Sequence, residues 1–555
     1  MILRRGTMLP MLRSRWLPYL AFFLVSFALY AQTLSFGYTF LDDNRLITDN
    51  FWFISSLKNV PRIFSHDVFL QKDGAFYRPI MMLSLFPDAV MARTPDNLVP
   101  FRFTNILLHS IATGLLFLFL QKLRYARKVS LILCFLFLAH PVLSQAAAWI
   151  PGRNDTLLAC WLLLSSIGFL EYFRTKKWWW LGIHFASFFL ALLTKETAVL
   201  FPVAISALAI IWMRKKMSFN WMWLLVMGWL TIVSGWFILR SLVVTHGGFL
   251  SSISLSTILQ NAPMLLVYLG KVFLPVGQSV LPIVADSSPL VGGIVTILLV
   301  VLTWRHAVTG HAVSKVGFGL FWFVVFLLPV VLYHNPAAGL GQDPQLEHRV
   351  YLPLIGIVIV VAEFAKNLVV KKFRSYFTVG FVIIFLTFFT ATFFFSKNFS
   401  NSGIFWKQAA DSNPHSPLAH RNLAAMHQIA GDDVFAEVAY RRALELNKTE
   451  PMVHGNLGLL AYNRGDLDEA EKLYRREIEI NPSFPLVYSN LAHLLSEQGE
   501  LDEARELWLI AYNLEPQNAV PLISYTKSFE DTDPEKFTEL RSQMGSLWSQ
   551  KDSNL

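Results

Sequence analysis

Charge is scarce in this chain of 555 residues: 15% of them are charged, while 54% are hydrophobic. Soluble domains carry about 25% charged residues, so a wholly soluble protein is excluded. Acids are scarcest where the apolar runs are longest. Up to residue 396 there are 14 Asp and Glu against 32 Lys and Arg; from residue 397 onward there are 24 against 15. The formal net charge of +9 therefore averages two unlike parts. The basic residues sit between apolar runs rather than along one polar face, which argues against a nucleic-acid partner. Cysteine is nearly absent. Cys134 and Cys160 both lie inside apolar runs; they read as core filling rather than as a disulfide or metal site, and they indicate no redox compartment.

What the chain has in abundance is long apolar runs. A spanning helix needs about 20 mostly apolar residues. Runs that meet or approach that length lie at 16–34, 102–121, 129–142, 156–173, 178–194, 197–213, 221–239, 287–304, 316–333, 350–365 and 376–396. The first follows Arg4, Arg5, Arg13 and Arg15 and lacks a small-residue cleavage site, so it reads as a retained span with a cytoplasmic N-terminus. The segment 257–283 is broken by Pro263, Lys271 and Pro275. If it is re-entrant or interfacial, every basic cluster faces inward: the N-terminus, 122–128, 174–177, 214–216, 305–315 and 366–374. The positive-inside rule favours that choice. It gives eleven spans, with the C-terminal part on the outer side.

That part is periodic. Asn422-Leu423, Asn456-Leu457 and Asn490-Leu491 recur at 34 residues, as do Gly431, Gly465 and Gly499, Ala436, Ala470 and Ala504, and the series Tyr440, Tyr474 and Trp508. Pro482 and Pro516 close two units, and Lys448 stands at that place in the other. Period and pattern match the tetratricopeptide repeat, two antiparallel helices per unit. The expected domains are a membrane part over 1–396, repeats over 397–518 (units 417–450, 451–484 and 485–518 after a half-unit holding Trp406, Ala409 and Pro414), and capping helices and tail over 519–555. Such arrays present a groove for peptides or partner proteins. Asn422, Asn456 and Asn490 could hydrogen-bond a bound peptide backbone, or equally satisfy the helix pair.

Several polar clusters share the outer side in this topology. The longest outer loop, about 35–101, opens with Asp42 and Asp43, and its stretch 51–64 mixes bulky apolar and polar residues as an interfacial segment does. Arg78 lies late in that loop; His140 ends the third run; Asp155 precedes the bulk of the fourth; Lys195 and Glu196 sit between two runs; Glu347, His348, Arg349 and Tyr351 open the tenth. Each has an ordinary explanation: solvated acids, a tight turn, a helix-end anchor. Ionisable groups in or near a membrane are nonetheless costly and mark sites. Carboxylates could take a proton from an attacking hydroxyl, and Arg and Lys could hold a phosphate. Asp42, Asp43 and Asp155 could also ligate a divalent metal, Mg or Mn.

In order, these residues read DD, YRP, LLH, AHPV then GRND, TKE and EHRVYLP, with repeats behind. The chain resembles the transmembrane and tetratricopeptide-repeat O-mannosyltransferases of the GT-C superfamily and their bacterial relatives. The resemblance implies an all-α fold, a polytopic GT-C-like helix bundle followed by an α-solenoid. It implies a polyprenyl-phosphate sugar donor, often dolichyl-phosphate mannose, and a protein or peptide acceptor. Asp42 would be the base with Asp43 as partner, and Asp155 the acid of the second motif. Arg349 and Tyr351 match the motif near the final spans, and we infer from their chemistry that they grip the lipid phosphate; Arg78, His140, Lys195 and Glu196 match further motif positions. Two departures stand out. The array has only three complete repeats, and Leu143-Ser144-Gln145 replaces the histidine and glutamate often found after HPV. The expected function is integral-membrane sugar transfer to a hydroxyl, that of protein Ser or Thr. The alternatives are a transporter or flippase, which leaves the outer loop and repeats unexplained, and a non-catalytic repeat scaffold, which needs none of the outer acids.

Overall fold

The computed structural model describes residues 14–70, 74–213, 219–244, 254–309, 313–332, 342–368, 374–516 and 518–544. Arg4, Arg5, Arg13, the cluster 214–216, and Lys371 and Lys372 lie outside the described residues. Among the described residues every regular element is a helix.

Eight of the eleven apolar runs coincide with helices long and apolar enough to cross a membrane: Leu17–Ser35, Val99–Lys122, Ile150–Thr175, Met222–Ser241, Leu290–Val308, Ser314–Leu332, Glu347–Lys366 and Thr378–Phe399. The run at 129–142 is a pair, Arg127–Leu138 and Pro141–Ala148, bent by 55°. The break falls at His140-Pro141, where proline lacks the N–H that would continue the ladder. Trp178–Leu192 and Glu196–Ile211 are apolar but shorter than a span. The chain is thus a multi-pass membrane protein whose count of spans depends on these last three. The ambiguous 257–283 segment forms two short helices, Leu255–Asn261 and Pro263–Phe273, broken where Pro263 opens the second. Neither approaches the length of a span.

Small residues let these helices close on one another. At Gly319 and Gly356, a Cβ on either residue would strike the other's carbonyl oxygen, so the helices that carry them pack backbone to backbone. The outer loop has its own core of Leu46, Ile47, Phe53, Ile54, Ile63, Met81, Met82, Leu85, Phe86 and Phe101, which makes it a small folded cap. Its stretch 51–64 leaves Trp52, Leu57 and Phe64 exposed, an apolar surface of the interfacial kind.

Contacts divide the chain at Asn413 and Pro414. The helix Ser402–Ser412, expected as a half-unit of the array, lies in the first unit, where Gln408 bonds the Val280 N–H at 3.0 Å and the Gln278 carbonyl at 3.1 Å. The second unit holds three helix pairs, Pro417–Ile429 with Asp433–Leu446, Val453–Asn463 with Leu467–Ile480, and Pro485–Gln498 with Leu501–Leu514. Val520–Lys527 and Pro534–Met544 follow. Gly431, Gly465 and Gly499 turn each pair at φ of 77°, 84° and 88°, the left-handed conformation that glycine adopts without a Cβ penalty. Ala436, Ala470 and Ala504 are fully buried at the close approaches.

Candidate active site

The turn that carries the two acids is built from its backbone outward. Arg102, fully buried, donates to the carbonyls of Phe36, Gly37 and Ala148, pinning the start of the outer loop to the end of the bent pair. The Trp149 indole N–H donates to Thr39 Oγ1 at 3.2 Å and to the Leu41 carbonyl at 3.1 Å. Asp43 accepts from the Thr39 N–H at 2.7 Å, the Thr39 hydroxyl at 2.9 Å and the Asn44 N–H at 3.1 Å. It is wholly buried. These bonds close the turn so tightly that Phe40 and Asp42 sit at φ of 56° and 67°. A left-handed non-glycine residue costs about 1–2 kcal/mol, and such strain gathers at functional sites.

The two neighbouring acids therefore have opposite situations. Asp43 spends its carboxylate on the turn. Asp42, half-buried, has no side-chain hydrogen bond among the described residues. Burial raises the Asp42 carboxyl above the ordinary carboxylate value, against the pull of Arg45 and Arg78. Burial likewise pushes Asp43 up to about 6, opposed by its Thr39 bonds.

Four more expected residues meet near this turn as two ion pairs. Arg78 forks onto Glu196, with Nε donating to Oε2 at 3.0 Å and Nη2 contacting Oε1. Burial works against the Arg78 charge, and Glu196 outweighs it, so the guanidinium is held above its ordinary value. Lys195 Nζ donates to both oxygens of Asp155 at 2.8 Å; burial pulls its ammonium below the ordinary value despite that partner. Arg78 also acts electrostatically on both Asp42 and Asp155. Arg349 is half-buried, with Nη1 on Gln345 Oε1 at 3.2 Å, and it acts on Asp155 too. The adjacent His348 brings Nε2 to 3.6 Å from Asp155 Oδ2. Asp42, Arg78, Asp155, Lys195, Glu196 and Arg349 thus form one polar centre, drawn from five stretches of chain.

Two expected residues are tied into the core instead. The Tyr351 hydroxyl donates to His109 Nδ1 at 2.8 Å, and His109 Nε2 donates to the Leu138 carbonyl at 3.0 Å. Both rings are fully buried. Their hydrogen bonds are spent on each other and on backbone, which leaves Tyr351 unsuited to hold a phosphate. His140 lies on the Val272 carbonyl through Nε2 at 2.8 Å and accepts from the Val142 N–H at 3.3 Å, so it caps the bent pair. The three acids do not gather as metal ligands. Asp43 is committed to Thr39 and Asp155 to Lys195, and among the described residues no group of three or more His, Cys, Asp or Glu could hold an ion. The residues present do not fit a Mg or Mn site.

In the repeats, the Asn422 amide donates to the Leu418 carbonyl of its own helix at 2.8 Å, and Asn456 lies near the Tyr440 hydroxyl of the preceding unit, which donates to Gln428 Oε1 at 2.9 Å. Asn422 therefore satisfies its own helix. Asn490 makes no side-chain hydrogen bond among the described residues. No motif included Arg102, Trp149 or Lys271, the last of which pairs with the motif residue Glu347 at 2.5 Å. Each of the three had a signal, a polar or aromatic residue at the edge of an apolar run or within one.

Residues 78–239 match the dolichyl-phosphate-mannose-protein mannosyltransferase family. That stretch contains Arg78, His140, Asp155, Lys195 and Glu196; Asp42, Asp43, Arg349 and Tyr351 lie outside it. Residues 451–484 and 473–506 match tetratricopeptide-repeat families. The chain is 28% identical over 181 residues to protein O-mannosyl-transferase Tmtc1 of Drosophila melanogaster, covering 32% of this chain and 20% of that protein. It is 30% identical over 188 residues to Drosophila Tmtc2, with the same coverage of both chains, 32% and 20%. To mouse TMTC2 it is 30% identical over 169 residues, 28% of this chain and 19% of that one. The matches span about a fifth of these relatives' length. The resemblance carried by the motifs is borne out: a mannosyltransferase-like membrane region and tetratricopeptide repeats occur in one chain.

Proposed function

We propose that this protein is a membrane glycosyltransferase that takes a sugar, mannose, from a polyprenyl-phosphate carrier and passes it to a hydroxyl of protein Ser or Thr. The observation that carries the reading is Asp42, a strained and half-buried carboxylate with no hydrogen-bond partner among the described residues, beside one buried ion pair, Lys195–Asp155, and one half-buried, Arg78–Glu196. In the transfer, the acceptor oxygen bonds to the anomeric carbon and its proton passes to the Asp42 carboxylate. The bond from that carbon to the phosphate oxygen breaks, and the phosphate departs with the electron pair. General-base help of this kind is worth about 10²–10⁴ in rate.

Arg349 meets the charge that grows on the departing phosphate, as a guanidinium suits phosphate oxygens. Asp43 positions Asp42 by closing its turn. The Arg78–Glu196 and Lys195–Asp155 pairs hold the walls of the centre, and their balanced charges leave room for an anionic donor. The bias of basic clusters toward one side supports a topology with this centre and the repeats on the outer face, bacterial periplasm or endoplasmic-reticulum lumen, and the N-terminus in the cytoplasm. There the repeats hold the protein acceptor; Asn490, with its amide unspent, is the repeated Asn best suited to a peptide backbone.

The test is transfer of label from radiolabelled polyprenyl-phosphate mannose in membranes, wild type against Asp42→Asn. Label reaching protein with the wild type alone supports the enzyme and its base. Equal transfer by both removes Asp42 from the mechanism.

A further inference from the structure

The first repeat departs from the other two on its solvent side. Four places that recur at 34 residues hold Ile429, Val434, Phe435 and Val438 in this unit. The second unit has Asn463, Asp468, Glu469 and Lys472 there, and the third has Glu497, Asp502, Glu503 and Glu506. Polar residues are what the solvated face of a packed helix carries. In the first unit the four apolar side chains are nonetheless between 62% and 77% exposed. Val434, Phe435 and Val438 share one face of the Asp433–Leu446 helix, at spacings of three and four. Ile429 ends the helix before the Gly431 turn, and Phe435 stacks on the His427 ring at 5.7 Å. Exposed apolar residues scattered singly need no explanation, but a group of four marks an interaction surface.

What covers the patch must match its size, its charge and its place in the chain. Four side chains cannot supply the about 800 Å² per partner that a stable protein interface buries, so a second copy does not account for it. A lipid surface asks far less of a chain that is already anchored, because tethering makes the second contact intramolecular. The first repeat is also the one next in sequence to a span: the last apolar helix ends at Phe399, and the repeat opens at Pro417. Asp432 and Asp433 flank the patch, which disfavours anionic headgroups. We propose that Ile429, Val434, Phe435 and Val438 dip into the headgroup boundary of a zwitterionic lipid surface, where amphipathic faces bury their apolar side chains. The first repeat then rests on the bilayer, while the second and third keep the equivalent polar residues in water.

The test uses the full chain reconstituted in phosphatidylcholine vesicles. A single bimane label is placed through Val438→Cys or, at the equivalent place in the third repeat, through Glu506→Cys; Cys134 and Cys160 are buried and take no label. Lipid bearing a nitroxide just below the headgroup is expected to remove most of the emission from position 438 and little from position 506. Adding Val434→Asp and Phe435→Glu restores the emission at 438. The fold tolerates this pair, since the second and third repeats carry Asp and Glu at those places. Equal lipid quenching at 438 and 506 overturns the inference, as does a label at 438 that aqueous iodide reaches as freely as the label at 506. Protection of position 438 from both iodide and lipid nitroxide means a protein cover, a second copy where two labelled chains quench each other, and overturns it too.

Discussion

Lys195 bonds both carboxylate oxygens of Asp155 at 2.8 Å, and neither side chain is more than 12% exposed. The pair fastens the turn after the Trp178–Leu192 helix to the first turn of the Arg153–Thr175 helix. Breaking a buried pair leaves a charge without compensation, at a cost of about 3–5 kcal/mol. Lys195→Met and Asp155→Asn are each expected to lower the unfolding midpoint in detergent strongly. The double variant should lose clearly less than the two losses combined, because it leaves no lone charge. Strictly additive losses would show that the two side chains do not act on each other.

Asp42 and Asp43 separate a reacting group from a structural one. Asp43→Asn replaces a charged acceptor of three hydrogen bonds by a neutral amide, so the turn at Thr39 should loosen. The expected signs are a lower unfolding midpoint and faster limited proteolysis within 36–98. Asp42→Asn removes no hydrogen bond and should leave both unchanged while lowering sugar transfer about 10²–10⁴-fold. If Asp42→Asn destabilises the cap as much as Asp43→Asn does, the division of roles is wrong.

The three complete repeats were legible because their information is local, whereas the half-unit expected before them proved to lie in the first unit. A glycine every 34 residues and an alanine at each close approach need no distant partner, and all three glycines take the left-handed turn. The site was legible in part. Charged residues at the rims of apolar runs signal burial wherever they lie, and six of the expected residues converge. What the sequence could not supply was direction. Arg349 and Tyr351 are two residues apart, but a helix begins between them, and Tyr351 turns inward to meet His109, 242 positions away. The unequal fates of Asp42 and Asp43 depend on Thr39 and Trp149, whose part emerges only once the turn is folded. Run length likewise said little about helix ends, which is why 178–194 and 197–213 are shorter helices than spans require.

The pH dependence of transfer follows from Asp42. As the base it must be ionised, so activity should be lost as pH falls through its pKa, which burial holds above the ordinary carboxylate value. Arg45, exposed on the same turn, opposes that rise by favouring the charged form. Arg45→Gln removes this help, so the acid limb of the kcat/KM profile should move to higher pH while the plateau above it is unchanged. A shift to lower pH, or a uniform loss at all pH values, would exclude Asp42 as the group titrating on that limb.

Gly152 offers a test of how finely the centre is set. It lies just before the helix that bears Asp155, at an ordinary φ of −58°, so its lack of a side chain is not a matter of backbone strain. A Cβ there would come within 2.5 Å of the Gln145 carbonyl oxygen and 2.8 Å of Ala146 Cα. Both are backbone atoms that no rotamer change can move aside. Gly152→Ala must therefore push the start of the Arg153–Thr175 helix away from the bent pair, carrying Asp155 with it and pulling on Lys195. A displacement of about 1 Å in a catalytic arrangement can cost about 10²-fold in rate. Transfer should fall by that order in Gly152→Ala. The repeats should be spared, because they form a separate unit with its own core. Wild-type transfer by Gly152→Ala would mean that the position of Asp155 is not critical to the reaction.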